Sequence, residues 1–303
     1  MNIKSNLYSL IAICIWSSLE LAGKLLGEGI SPFAITAWRF LIGGSVILPF
    51  AIIQGTRNKV KLTVGSILTL GALGILNVVV SMLLLQMAIY YGKASLTAII
   101  VSMNPLFVSL FAWLIIKEKL SRNKIFCISM GIIGLGVIVF GEHELASTDF
   151  LHLPAGIFFA LLASITFGLY TVLTKKAVNR YGNRITNCAS FLIGGASLTV
   201  INILIGKTML FEPTTRSLTL ILYLGIVITG VAYLFYFEAM KDLSAAGAAK
   251  YFFLKPVLAS LLAVILLSER LSTLQIVGVV LVIISLAFST VAGYMRKWQG
   301  RAV

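Results

Sequence analysis

Five charged side chains lie inside long apolar runs of this sequence: Glu20, Arg39, Glu238, Lys250 and Lys255. Charge in such surroundings is costly, and it is kept where it pairs, meets a ligand or carries a proton. Lys255 sits near the middle of its run and directly precedes Pro256, as Asn104 directly precedes Pro105. A proline deletes one helical hydrogen bond and can free a carbonyl beside the polar side chain. Two polar residues beside two prolines therefore form a candidate binding centre, with Lys255 contacting a solute or its coupling partner. Tyr251, four residues before Lys255, shares its face of a regular helix. Glu20 forms an i, i+4 series with Trp16 and Lys24. A pair with Lys24, a buried bridge to Arg39 and a proton-carrying carboxylate are all open to it. Lys250 can snorkel toward one surface or pair with Glu238. Asn77, Gln86, Ser102, Tyr233 and Tyr236 add hydrogen-bonding capacity. The expected solute site is Lys255, Asn104, Glu20, Asn77, Tyr251, Trp16 and Tyr233. Glu20, Arg39, Lys250 and Glu238 form the expected coupling or ion-pair group.

The same inventory argues against catalysis. The two histidines, His143 and His152, fall between apolar runs beside Glu142, Glu144 and Asp149. That leaves no histidine among the deep polar groups to act as a base. Their spacing is not that of a metal site, so a polar linker is expected, with no metal or other cofactor. Cys14, Cys127 and Cys188 lie in apolar runs and read as packing residues without a disulfide framework. No Walker-type loop is present to drive a pump with ATP.

The elements that must position these groups are membrane spans. The chain of 303 residues is 59% hydrophobic and 11% charged, against about 25% charged in ordinary soluble domains. Apolar runs of spanning length recur from end to end. They are continuous rather than alternating, which selects helices over a barrel. We read ten, near residues 6–27, 32–54, 64–91, 94–116, 122–141, 153–175, 185–206, 217–240, 244–267 and 273–294. The first has a weak basic lead and no small-residue cleavage pattern, so a retained span is expected rather than a signal peptide.

The sequence also contains itself twice. At an offset of 151 positions, without a gap, Phe40-Leu41-Ile42-Gly43-Gly44 falls on Phe191-Leu192-Ile193-Gly194-Gly195. Leu73-Gly74-Ile75 falls on Leu224-Gly225-Ile226, Pro105 on Pro256, Glu118 on Glu269 and Lys24 on Lys175. Residues 1–141 are read as one five-helix repeat, 142–152 as an external linker and 153–303 as the second repeat. Five is odd, so the copies enter the bilayer in opposite senses. The fold class is all-α integral membrane, ten helices in two inverted repeats. Glycines at Gly23 and Gly27, Gly43-Gly44 and Gly194-Gly195 mark close helix contacts.

The net charge of +14 is a topology signal rather than a nucleic-acid footprint. With the N-terminus inside, sixteen Lys and Arg residues fall in cytoplasmic segments, five in external ones and three within helices. The positive-inside rule then puts both termini in the cytoplasm.

Two five-helix units, each with a proline mid-way through its fourth helix and a Glu-x-Leu-Ser end, resemble the EamA-type branch of the drug/metabolite transporter superfamily. The motifs here are Asn104-Pro105 with Lys117-Glu118-Lys119-Leu120-Ser121, and Lys255-Pro256 with Ser268-Glu269-Arg270-Leu271-Ser272. Trp16-Ser17, Ser31-Pro32 leading to Arg39, and Ala88 also look like that family. The resemblance implies a central cavity lined mainly by helices one, three, four, six, eight and nine. It implies no single substrate, because the family moves amino acids, drugs, quaternary amines and other metabolites. Lys250 and Lys255 depart from its general pattern and argue against a purely cationic solute.

The expected function is secondary active transport, in the export direction, of a small amino-acid-like or carboxylate-bearing metabolite by alternating access. The alternatives are a cationic metabolite or drug coupled to protons through Glu20, and a lipid flippase. The expected partners are the small-molecule solute and the bilayer, not nucleic acid, in a monomer or homodimer of the inner (plasma) membrane. Reporter fusions after residues 61 and 303 should read as cytoplasmic and a fusion within 142–152 as external. A cytoplasmic linker would break the inverted-repeat reading.

Overall fold

In the computed structural model the chain folds as a bundle of apolar helices. The structure describes residues 3–27, 29–92, 94–119, 122–140 and 153–258, with helical residues at intervals from 273 to 288. The linker 142–152 with its histidines, Leu120-Ser121, the second Glu-x-Leu-Ser end and much of the tenth helix lie outside the described residues.

Among the described residues, six helices are long and apolar enough to cross a membrane: Ile3–Leu26, Pro32–Arg57, Val64–Tyr91, Pro154–Tyr181, Asn183–Leu204 and Thr215–Asp242. They are the first, second, third, sixth, seventh and eighth spans. The fourth span is made of two pieces, Ala94–Val101 and Asn104–Ile116. Arg122–Phe140 is the fifth, and the ninth begins at Ala245–Ala249. Caps set several starts. Ser31 accepts from the Ala34 amide ahead of Pro32, Thr214 forms a capping box with Ser217, and Ser244 accepts from the Gly247 amide at 2.9 Å. Each hydroxyl satisfies an amide that the helix cannot.

The sixth span runs past residue 175 to Tyr181, further than its hydropathy suggests. Lys175, Lys176 and Arg180 ride on its last turns, where cations suit the helix C-terminus. Gly182 alone joins it to the seventh span, with φ +90°. A residue with a Cβ is strained there.

The two repeats meet through reciprocal glycine crossings. The second span packs against the eighth, and its repeat mate, the seventh, packs against the third. A methyl built on Gly43 would stand 2.9 Å from the Gly225 carbonyl oxygen, and one on Gly194 would collide with the Gly74 carbonyl. Gly43 and Gly194 are repeat mates, as are Gly74 and Gly225. Reciprocity of this kind is what a two-fold relation between halves demands. With no side chain between them, the backbones approach closely, as at small-residue crossings in other membrane bundles. The second and seventh spans also pack on each other, and Phe40 meets its mate Phe191 at a centroid distance of 5.0 Å.

Overpacking a crossing of this kind costs about 1–3 kcal/mol. Gly74→Ala and Gly194→Ala should each lower the melting temperature of the purified protein. Gly136→Ala is the control, since a Cβ there meets none of the described residues within 4 Å. Equal melting temperatures for all three would refute the crossing as a packing constraint.

Candidate functional site

Helix breaks position the deep polar groups. The first span is interrupted at Ser17-Ser18, between Ile3–Trp16 and Leu19–Gly27. Ser17 Oγ donates to the Ile13 carbonyl at 2.7 Å and Ser18 Oγ to that of Ile15 at 2.9 Å. Such back-bonding bends a helix, and here it falls between Trp16 and Glu20. The fourth span breaks at Ser102-Met103, one residue before Asn104-Pro105. In the ninth span the four residues Lys250–Phe253 form a 3-10 turn just ahead of Leu254-Lys255-Pro256. Both prolines thus follow a loosened turn. The third and eighth spans widen into π-helix at Ile75–Met82 and Tyr223–Val231, a distortion common at functional sites.

Lys255 and Glu20 meet across the two repeats. Lys255 Nζ donates to Glu20 Oε1 at 2.5 Å, with both side chains almost fully buried. The structure gives Glu20 neither Lys24 nor Arg39 as a direct partner but Lys255, from the other repeat. Lys24 turns away and donates to the carbonyls of Ile89 and Gly92 at 3.3 and 3.1 Å. Arg39 donates through Nε to Thr229 Oγ1 at 3.3 Å and through Nη2 to Met82 Sδ at 3.6 Å, and it lies over the Phe40 ring. It is within electrostatic reach of Glu20 and Tyr233 without bridging the carboxylate. Among the described residues, Glu20 Oε2 and Arg39 Nη1 have no hydrogen-bond partner.

Around them is a cavity of about 20 Å³, room for one water molecule and far too small for a metabolite. Its lining includes Trp16, Leu19, Arg39, Met82, Leu85, Val101, Ala163, Phe167, Tyr233, Phe252 and Lys255. Every one of these is 6% exposed or less, so this conformation is closed to both faces. Trp16 holds the aromatic wall together. Its ring is 4.9 Å from Tyr233, 5.5 Å from Phe252 and 6.0 Å from Phe167, and its Nε1 donates to the Ile228 carbonyl at 2.9 Å.

The lining obeys the repeat. Trp16 and Phe167, Met82 and Tyr233, and Val101 and Phe252 are three pairs of positions 151 apart, and all six line the cavity. A reading of polar residues alone passes over Met82, Val101, Phe167 and Phe252. The signal for them is the offset itself, applied to Trp16 and Tyr233.

Other expected residues lie elsewhere. Tyr251 does not share the cavity face of Lys255; its hydroxyl donates to Asn6 Oδ1 at 2.7 Å, and Lys250 lies 5.1 Å over its ring. The 3-10 turn is the reason, since side chains three apart eclipse there. That brings Phe252 rather than Tyr251 into line with Lys255. Lys250 does not pair with Glu238, which binds Lys241 at 2.7 Å and accepts from Asn183 Nδ2 at 3.0 Å. Asn104 turns to the sixth span, donating to the Ser164 carbonyl at 3.1 Å. Asn77 is buried in the π segment beside the Tyr233 hydroxyl. Glu118 accepts from the Ala245 amide at 3.1 Å, at the start of the ninth span.

Polar clasps close the bundle at each end. On the face carrying the N-terminus, Ser5 donates to Asp242 at 2.5 Å and Lys175 to the Leu243 carbonyl at 3.1 Å. On the opposite face Lys24 donates to the Gly92 carbonyl. Lys24 and Lys175 are repeat mates, and so are their acceptors Gly92 and Leu243.

Comparison with known proteins agrees with this architecture. The model of the EamA-like transporter family matches twice, over residues 3–140 and 154–291. An uncharacterized transporter of Clostridium kluyveri is 35% identical over 288 residues, covering 93% of this chain and 91% of that protein. The uncharacterized transporter YwfM of Bacillus subtilis is 26% identical over 97% of each chain. Protein PecM of Dickeya dadantii is 25% identical over 91% of this chain and 88% of its own. A solved crystal structure with 20% identity covers 95% of this chain and 96% of its own at a TM-score of 0.76, a likeness of fold alone. A duplicated helical unit, a pair-wise lined central cavity and these matches make the chain a multi-pass membrane transporter, not an enzyme, belonging to the EamA-like transporter family of the drug/metabolite transporter superfamily.

Proposed function

We infer that this protein is a secondary active carrier of a zwitterionic, amino-acid-like solute with an apolar or aromatic side chain. The observation that carries this reading is the charge set at the cavity, where Arg39 and Lys255 line the space and Glu20 bonds Lys255. Lys255 and Glu20 neutralise one another, and Arg39 remains, so the centre bears one net positive charge. A solute carboxylate suits the unpartnered Arg39 Nη1, and a solute ammonium suits the unpartnered Glu20 Oε2. Trp16, Phe167, Tyr233 and Phe252 offer the surface for an apolar side chain. A purely cationic solute would meet a centre that already repels it. A lipid carrier needs a lateral opening, which a lining this buried does not favour.

Alternating access follows from the inverted repeats, with the occluded conformation between two open ones. Lys24 and Lys175 are the equivalent latches, and one must release for each opening. Glu20 is then the group at which a coupling proton and the solute ammonium compete for one carboxylate. The face carrying the N-terminus is the cytoplasmic one on the charge count given above.

Removing one partner of a buried pair costs about 3–5 kcal/mol. Lys255→Met and Glu20→Gln alone should therefore lower the melting temperature, and the double variant should recover most of the loss. None of the three should transport in proteoliposomes. Wild-type transport by Lys255→Met would remove the pair from the mechanism.

The solute class is tested by thermal unfolding of the purified protein. Ligand at about one hundred times its dissociation constant stabilises by about 2.7 kcal/mol. Apolar zwitterionic amino acids should raise the melting temperature, while matched amines without a carboxylate should not. Stabilisation by the amines, undiminished in Arg39→Gln, would overturn the assignment in favour of a cationic solute.

A further inference from the structure

A second depression, larger than the central cavity, opens between the third and sixth spans on the face carrying the N-terminus. It measures about 480 Å³ and is lined by Thr69, Ala72, Leu73, Leu76, Leu173, Lys176, Ala177, Arg180 and Tyr181. Lys176 and Arg180 are four residues apart on one helix face and both exposed. Arg180 lies 5.2 Å from the centroid of the Tyr181 ring, and Lys176 makes one long bond, 3.5 Å, to the Ile115 carbonyl. Below the two cations the walls are aliphatic.

At the repeat offset, the residues that line this groove differ in kind from their mates in the other half. The mate of Ala72 is Tyr223, a far larger side chain, whose hydroxyl meets Ser18 Oγ at 2.7 Å. The mates of Lys176 and Arg180 are Leu25 and Gly29. One half of a duplicated frame thus has a groove capped by two cations, where the other has a tyrosine and no charge.

We propose that this groove binds one anionic glycerophospholipid, with its phosphate on Lys176 and Arg180 and an acyl chain along Leu73, Leu76 and Leu173. Three features fit that occupant. From Thr69 to Leu76 the groove follows about 10 Å of helix, most of one leaflet's half of a hydrocarbon core about 30 Å thick. The cations sit at the spans' ends, at headgroup depth. Basic pockets between spans at the cytoplasmic surface match the anionic lipids of that leaflet. The site also couples to the central cavity, because the third span supplies Met82 and Leu85 and the sixth supplies Ala163 and Phe167. A lipid wedged between these spans stabilises the occluded packing.

The test is thermal unfolding and native mass spectrometry of the full-length protein in neutral detergent, titrated with phosphatidylglycerol. Phosphatidylcholine and inorganic phosphate are the comparison ligands. Phosphatidylglycerol should raise the melting temperature and remain bound at one copy, and neither comparison ligand should do so. At about one kcal/mol per surface cation, Lys176→Gln/Arg180→Gln should bind it roughly thirty-fold more weakly. Lys59→Gln/Lys61→Gln, which removes as much charge from the same face, should bind it as the wild type does. Equal stabilisation by phosphatidylcholine would reduce the groove to a general lipid contact. Equal stabilisation by phosphate would make it a free-anion site. Equal weakening by the control variant would show that net charge alone acts. Each of these outcomes overturns the proposal, and none of them bears on the solute site.

Discussion

A carboxylate and an ammonium near the middle of an apolar bundle are tolerable only together. Removing both from water costs several kcal/mol per ion even after relaxation, and close contact with good geometry repays it. Glu20 and Lys255 meet that demand at 2.5 Å, and the bond joins the first repeat to the second. Its geometry depends on two local irregularities, the serine break of the first span and the 3-10 turn of the ninth. Regular helices would carry these side chains to other faces. The pair therefore explains why two spans are broken where they are, and it makes the closed conformation sensitive to anything that neutralises either partner.

Around that pair the frame is rigid where glycine brings backbones together and adjustable where polar clasps bridge span ends. The crossings of Gly43 with Gly225 and Gly74 with Gly194 leave no side chain to reposition. The clasps are hydrogen bonds to backbone carbonyls near a surface, two from Lys24 and one from Lys175, which also lies 4.0 Å from the Glu118 carboxylate. A net bond of this kind contributes about 1 kcal/mol, so it can break and re-form while the crossings persist.

The duplication, the spans and the glycine register were legible in the sequence because membrane burial writes them in composition and a fixed offset repeats them. The pairing of Lys255 with Glu20 was legible only as a demand for some counter-charge. Which acid supplied it depended on helix breaks that propensity does not locate. Tyr251 was misplaced for the same reason, since counting by fours assumes an α-helix where a 3-10 turn stands. Glu238 was drawn to Lys241, one turn away on its own helix, and to Asn183, a partner from another span. The apolar lining escaped notice because Val101, Phe167 and Phe252 look like any other core residues until they are compared at the repeat offset.

That comparison also shows an imbalance. The first repeat gives the cavity Trp16, Met82 and Val101, while the second gives Phe167, Tyr233 and Phe252 at the matching positions. In an inverted pair of repeats, the two open conformations arise as the halves exchange shapes. Perfectly alike halves would hold a solute equally well from either side of the membrane. With Met82 and Val101 on one side and Tyr233 and Phe252 at the matching positions on the other, the two openings present different chemistry to the same molecule. The frame is duplicated, and its lining is not.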